Sequence, residues 1–364
     1  MKILFYISGH GLGHATRVYA VMNALAAKEP DAQVFLRTQV PINAFDGLSP
    51  GFFQADEVAI DVGVVEKDIF SQDIHATLSR YARIDSVKNH LIDDEVRFIK
   101  QKGIQVIVSD IPPLASEIGF AADIPTIAIG NFSWDFIYEP YVLQYPAFGY
   151  LLDEIRSAYE KTTLLMRLPL HHEMTAFPRQ RDIPFAVRKP RTDPMDVRAR
   201  LGIPANSEKR IVAIALRMDN VVPSRAIQEL VESNEFIVLS FVSLPFEANP
   251  TVHVIGPEWR RSEFPDLLAI SDVVICKLGY GIVSECIVAQ VPLIYVPRDD
   301  FAEYEILETG SRDLLPSYLM PRDDFLKGNW YDHIKAFLSF NFTWPSVRTD
   351  GADIAATTII SYAT

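Results

Sequence analysis

Lys2-Ile3-Leu4-Phe5-Tyr6-Ile7-Ser8-Gly9-His10-Gly11-Leu12-Gly13-His14 opens the chain, and the order of residue types in it decides the fold. The apolar run Ile3–Ile7 predicts a strand covered on both faces. Gly9, Gly11 and Gly13 follow directly, and Val18, Val21, Met22 and Leu25 then recur at the spacing of one buried helix face. Strand, glycine turn and helix in that order begin a βαβ unit. The turn offers bare backbone and the unpaired N–H groups of a helix start, a combination suited to a close, anionic ligand. A dinucleotide-binding loop has similar ingredients. Its G-x-G-x-x-G spacing is absent, however, and Arg37 and Thr38 stand where an acid would be needed.

Outward from this unit the same alternation continues. Strands are predicted at Gln33–Leu36, Gln105–Val108, Thr126–Ile129 and Leu164–Arg167, with helices at Thr77–Gln101, Pro113–Ala122 and Phe148–Lys161. From Arg167 to about Asp193 the pattern gives way to Pro169, Pro178, Pro184 and Pro190 with Arg179, Arg181, Arg188, Lys189 and Arg191, which reads as a linker. A second series follows: helix Pro194–Leu201, strand Ile211–Leu216, a helix from Pro223, strands Phe236–Phe241 and Val252–Ile255, helix Pro265–Ile270, strand Val273–Cys276, helix Ile282–Gln290 and strand Leu293–Val296. Two consecutive α/β domains with parallel, doubly wound sheets are expected, with boundaries at 1–187 and 188–345 and a final segment 346–364. A length of 364 residues favours two domains over one.

Composition narrows the function. With 34 basic against 47 acidic residues the net charge is −13, which repels polyanions, so nucleic acid is not an expected partner. No apolar run nears the ~20 residues that span a bilayer, and the first strand leaves no room for a signal peptide. Cys276 and Cys286 make no disulfide framework, and a reducing, cytoplasmic setting is the simplest expectation. Oligomeric state is not fixed by the sequence, and a homodimer is compatible with it.

In doubly wound sheets ligands sit beyond the carboxyl ends of the strands, in loops that lead into helices. The first loop carries His10 and His14, imidazoles suited to proton transfer, beside Gly11, Gly13 and Arg17; a structural turn with capping histidines is the plain alternative. In the second, Asp110 could orient a histidine, bind a sugar hydroxyl, or cap the helix that starts at Pro113. The third, Asn131-Phe132-Ser133-Trp134-Asp135, combines hydroxyl-binding groups with an aromatic face, although Trp134 would serve equally as packing. Lys277-Leu278-Gly279-Tyr280-Gly281 opens a helix that carries Glu285, and lysine with helix-start amides suits an anion. Asp299 and Asp300 could reach sugar hydroxyls. His171-His172-Glu173 resembles a metal set, but adjacent residues do not easily converge on one ion, and no metal or other cofactor is expected.

Four of these stretches carry a family resemblance: Gly9–Arg17, Ser109-Asp110, Asn131–Tyr138 and Lys277–Gly281. They look like the glycosyltransferase-like N-terminal region of the L-arabinokinases and, more distantly, like the transferase that adds N-acetylglucosamine to lipid-linked peptidoglycan precursors. The similarity runs over essentially the whole chain, including Arg167-Leu168-Pro169 and Gly256-Pro257. It implies a GT-B architecture, two facing Rossmann-like domains with an interdomain cleft and a last helix, Asp353–Tyr362, crossing back to the first. It also implies a metal-independent glycosyltransferase moving a hexosyl or pentosyl unit from a nucleotide diphosphate sugar, expected to be a UDP-sugar, to a sugar-containing acceptor.

In that reading His14, or else His10, deprotonates the acceptor, and Asp110 orients it. Gly11, Gly13, Arg17, Asn131, Ser133, Trp134 and Asp135 hold the acceptor. Arg217, Lys277, Gly279, Tyr280, Gly281, Glu285 and Asp299 hold the donor, Glu285 at its ribose. Arabinokinases continue into a sugar-kinase domain, so kinase activity is not expected of a chain that stops at Thr364. Relatives also place glycines where Arg217-Met218-Asp219-Asn220 stand, which bears on diphosphate binding. A sugar-nucleotide epimerase or hydrolase, and a non-catalytic sugar-nucleotide-binding regulator, are the alternatives on the same fold.

Overall fold

The computed structural model describes every residue except 10, 50, 217–220, 245, 247, 257–258, 260 and 300, and the side chains at 11 and 12. In the first half the strands are β1 (Lys2–Ile7), β2 (Gln33–Thr38), β3 (Phe53–Asp56), β4 (Val106–Asp110), β5 (Thr126–Gly130), β6 (Leu164–Arg167) and β7 (Gln180–Asp182). Among the described residues they form one sheet in the order β3-β2-β1-β4-β5-β6-β7, and every pairing is parallel. The second half holds β8 (Arg210–Ala215), β9 (Phe236–Ser240), β10 (Val252–Val254), β11 (Val273–Lys277), β12 (Leu293–Val296) and β13 (Ser317–Leu319), also all parallel, in the order β10-β9-β8-β11-β12-β13.

Both sheets reverse direction of winding at the centre, between β1 and β4 in one and β8 and β11 in the other. These switch points are where the loops beyond two neighbouring strands diverge and leave a crevice. Ile3, Leu4 and Phe5 of β1 and Val274 and Ile275 of β11 are fully buried, as continuous apolar strands between two helical layers must be.

The stretch expected as a linker is partly strand. Leu165 pairs with Gln180 and Arg167 with Asp182, so β7 extends the first sheet before the chain crosses. Its prolines lie outside the three paired positions, which leaves the ladder intact. The remaining strands and helices expected from periodicity are present with shifts of a few residues at their ends.

The last helix, Gly351–Ala363, lies against the Gly11–Lys28 helix. Gly351 donates to Phe185 O, and Gln105 donates to Ala363 O at 2.8 Å. A Cβ at Gly351 would fall 1.9 Å from Pro184 O, so only glycine permits this approach. Among the described residues no helix is long and apolar enough to cross a membrane.

Candidate active site

At the first switch point the Gly11–Lys28 helix starts beside the end of β4, and two side chains from sequence-distant elements meet there. His14 Nδ1 lies 2.8 Å from Asp110 Oδ1, and both residues are buried. Arg17, one turn further along the helix, donates through Nε to Asp110 Oδ2 at 2.6 Å and through Nη2 to Oδ1 at 2.5 Å. Arg17 Nη2 is also 3.0 Å from His14 Nδ1. Asp110, held ionised, only accepts, so His14 donates to it from Nδ1 and the Arg17 guanidinium is a second donor to the same Oδ1. Burial pushes the Asp110 carboxyl up, but Arg17 and His14 outweigh it and hold it below its ordinary value of 3.8. Asp110 is thus an ionised orienting group. It does not cap the following helix, whose N-cap is Pro112.

Arg17 also carries the network into the second half. Its Nη1 donates to Asn131 Oδ1 at 2.7 Å, and Asn131 Nδ2 donates to Glu303 Oε1 at 2.6 Å. Its guanidinium lies 5.4 Å from the centre of the Tyr280 ring. Burial pushes Glu303 above its ordinary value of 4.5 despite Asn131 and Arg17. The two glycine turns touch here as well: an added Cβ on Gly281 would sit 3.1 Å from Thr16 Oγ1 and 3.4 Å from Gly13 Cα. At Gly13 and Gly279 an added Cβ would meet no described atom within 4 Å, so bare backbone at both turns borders open space.

Several expected contacts fall elsewhere. Trp134 is fully buried and offers no face to a sugar; it stacks 6.2 Å from His14 and edge-on to Phe132 at 5.1 Å, backing the imidazole. Asn131 is committed to Arg17 and Glu303, and Ser133 to His172, whose Nε2 is 3.1 Å from its hydroxyl. The Asn131–Asp135 stretch is therefore a supporting wall and not the open polyol edge expected, because the helix Trp134–Gln144 turns its first residues inward. Asp135 is buried beside Arg156 at 3.3 Å.

Glu285 is buried against Arg188, which donates to it from Nε at 2.6 Å, so its carboxylate is already engaged from the crossing segment. Asp299 forms a surface pair with Arg322 at 2.8 Å. Lys277 donates to Glu66 at 2.5 Å. His10, Arg217, the Met218–Asn220 stretch and Asp300 lie outside the described residues.

His172 is half-buried in the wall behind the site. Burial pulls it down to about 4, it stacks on Phe136 with centroids 4.0 Å apart, and its Nδ1 accepts from the Met174 N–H at 3.2 Å. Among the described residues no three His, Cys, Asp or Glu side chains converge as metal ligands.

Four residues at the site were not singled out from sequence: Asp61, Glu66, Arg188 and Glu303. Asp61 accepts from the Gly9 N–H at 3.4 Å, and burial pushes it above its ordinary value of 3.8, opposed by Ser8 and His14. A lone acid in the apolar run Ile60-Asp61-Val62-Gly63-Val64 was the available signal, since buried charges are rarely placed without a partner. Glu303 carried no comparable mark.

This architecture, two facing parallel sheets each doubly wound and a last helix returning to the first, is the GT-B fold. No family model matches the sequence. The chain is 29% identical over 362 residues to L-arabinokinase from Arabidopsis thaliana, a match covering 97% of this chain and 33% of that protein. It thus spans about a third of the length of the curated relative it matches. In structure it resembles the spinosyn rhamnosyltransferase SpnG in complex with thymidine diphosphate, with a TM-score of 0.60, 13% identity and coverage of 100% and 96%. It resembles equally a putative UDP-N-acetylglucosamine 2-epimerase from Listeria monocytogenes, with a TM-score of 0.60, 15% identity and coverage of 99% and 94%.

Proposed function

We propose that this chain is a glycosyltransferase that moves a sugar from a nucleotide diphosphate sugar, a UDP-sugar in the simplest case, to a hydroxyl of a sugar-containing acceptor. The observation that carries this reading is the His14–Asp110 pair at the first switch point, 2.8 Å apart, set across the touching glycine turns from Lys277. His14 takes the acceptor proton at Nε2 while Asp110 fixes the tautomer and steadies the imidazolium. Arg17 supports Asp110. The developing diphosphate charge falls to Lys277 and the amides at Gly279–Gly281, with Arg217 assigned from sequence, and to no metal ion.

The resemblance to L-arabinokinase and to a rhamnosyltransferase that binds thymidine diphosphate supports a nucleotide-sugar donor. We divide the chain, on the same reading, into an acceptor half to residue 187, a donor half to 345 and a returning helix.

The test is product analysis with a panel of sugar nucleotides, with and without sugar acceptors, for the native chain and His14→Ala. Transfer that falls about 10²–10⁴-fold in the variant, with donor affinity retained, is the expected result. Transfer that survives in His14→Ala refutes the role of the imidazole. Epimerised or free sugar from donor alone would establish the epimerase or hydrolase reading, which the Listeria neighbour keeps open.

A further inference from the structure

After β3 the segment 57–73 keeps Ile60 and Val64 in the first half, and its tip, residues 66–71, reaches across to the second. Ile69 is 4% exposed and packs into the second half's core with Val212 and Phe325. Phe70 meets Phe325 edge-on at 6.1 Å, and its carbonyl accepts from the Asp299 N–H at 2.9 Å. The tip holds its own shape, because Asp68 Oδ1 accepts from the N–H groups of Phe70 and Ser71 at 2.7 and 2.8 Å. Glu66, bridged antiparallel to Gln72, is thereby delivered onto two cations beyond β11 and β12: Lys277 Nζ at 2.5 Å and Arg298 Nη2 at 3.3 Å.

Arg298 is poorly compensated for a buried cation. Its side chain is 5% exposed, its Nε has no hydrogen-bond partner, and Glu66 at 3.3 Å is its one ion pair among the described residues. Its guanidinium lies over Phe301 at 4.1 Å. Burial works against the charge and pulls it below its ordinary value, and Glu303, the other acid acting on it, is itself pushed toward neutrality by burial. Folded proteins seldom strand a guanidinium with unmet donors away from water unless something else completes it.

We propose that Lys277 and Arg298 form a phosphate site, and that Glu66 is an internal counter-ion which the ligand's phosphate displaces. The site lies at the carboxyl ends of the neighbouring strands β11 and β12, and Gly279, two residues after Lys277, borders open space. A phosphate brings more charge and more acceptor atoms than one carboxylate, and so can satisfy the Arg298 Nε that Glu66 leaves unmet. Identification of the ligand as a nucleoside diphosphate rests on the function proposed above; the cation pair and its resident carboxylate do not.

The experiment measures binding of inorganic pyrophosphate, UDP and uridine to the full chain by calorimetry, for the native protein and for Glu66→Gln, Lys277→Gln and Arg298→Gln. Glu66→Gln should tighten pyrophosphate and UDP severalfold by removing the competitor. Lys277→Gln and Arg298→Gln should each weaken both at least tenfold, and uridine should not respond to any of the three. Unchanged or weaker pyrophosphate binding in Glu66→Gln overturns the proposal, as does a uridine response equal to that of UDP. If Arg298→Gln fails to fold, the opposite signs expected for Glu66→Gln and Lys277→Gln still decide it. Diphosphate binding that behaves as stated, without turnover of any sugar nucleotide, leaves the site standing and removes the transferase reading.

Discussion

Gly281 of the second half lies against Gly13 of the first, close enough that a Cβ on one would be 3.4 Å from the Cα of the other. The two turns expected to face a common ligand are thus in contact, and a side chain at Gly281 acts on both halves at once. Gly281→Val should overpack this contact and cost about 1–3 kcal/mol of stability, read as a lowered unfolding midpoint. Gly13→Ala points into open space and should be tolerated or stabilising by up to about 1 kcal/mol, while weakening acceptor binding. A Gly13→Ala chain with an unchanged KM for acceptor would show that the acceptor does not approach that turn.

Asp110 neutralises Arg17 and orients His14 from a buried position. Asp110→Asn leaves the guanidinium uncompensated, and a loss of about 3–5 kcal/mol is expected in chemical denaturation. Because its carboxyl is held below 3.8, its contribution is present above that pH and is lost as pH falls through the folded value. The difference between native and variant should therefore shrink in acid.

Glu303 titrates with the opposite sign. Its folded value is raised above 4.5, so its contribution is greatest below that pH, where the carboxyl is protonated, and stability is lost as pH rises through the folded value. Glu303→Gln keeps an acceptor for Asn131 and removes the buried charge. Its thermal midpoint should exceed that of the native chain near neutral pH and match it near pH 4, which a pair of melting curves checks. A lower midpoint at neutral pH would mean that the pairing of Glu303 with Arg17 and Arg298 outweighs its burial.

Arg188 and Glu285 form a buried pair between the crossing segment and the Tyr280–Ala289 helix. Arg188→Met alone removes the guanidinium from a buried carboxylate and should cost about 3–5 kcal/mol. Arg188→Met with Glu285→Leu should recover most of that, because a buried pair replaced by packed apolar groups is often neutral. If the double variant is no more stable than the single, Glu285 is held chiefly by partners other than Arg188.

The fold was legible because fully covered parallel strands read as short apolar runs, and Leu164–Arg167 and Leu293–Val296 fall where periodicity puts them. β7 was not, because three residues with the sequence Gln180-Arg181-Asp182 have no apolar pattern and become a strand only through pairing with Leu165–Arg167. His14 and Asp110 could be singled out because each follows closely on a recognisable apolar run, Ile3–Ile7 and Gln105–Val108. The roles of Glu66, Arg188 and Glu303 are set by partners 211, 97 and 172 positions away, and no local pattern encodes such distances. Trp134 shows the converse: its type suggested a sugar platform, and only its burial reveals it as backing for the imidazole.

The seat of Ile69 in the opposite half's core limits how ligand gains entry. Halves joined by flexible segments alone would part almost freely, but here separation withdraws a buried isoleucine into water, at about 1.5–3 kcal/mol. Each 1.4 kcal/mol is a factor of ten in population, so this side chain by itself keeps parted molecules about ten- to a hundredfold rarer than they would otherwise be. Ile69 behaves as a press-stud, and shortening it to alanine should hasten nucleotide exchange more than it alters any step of chemistry.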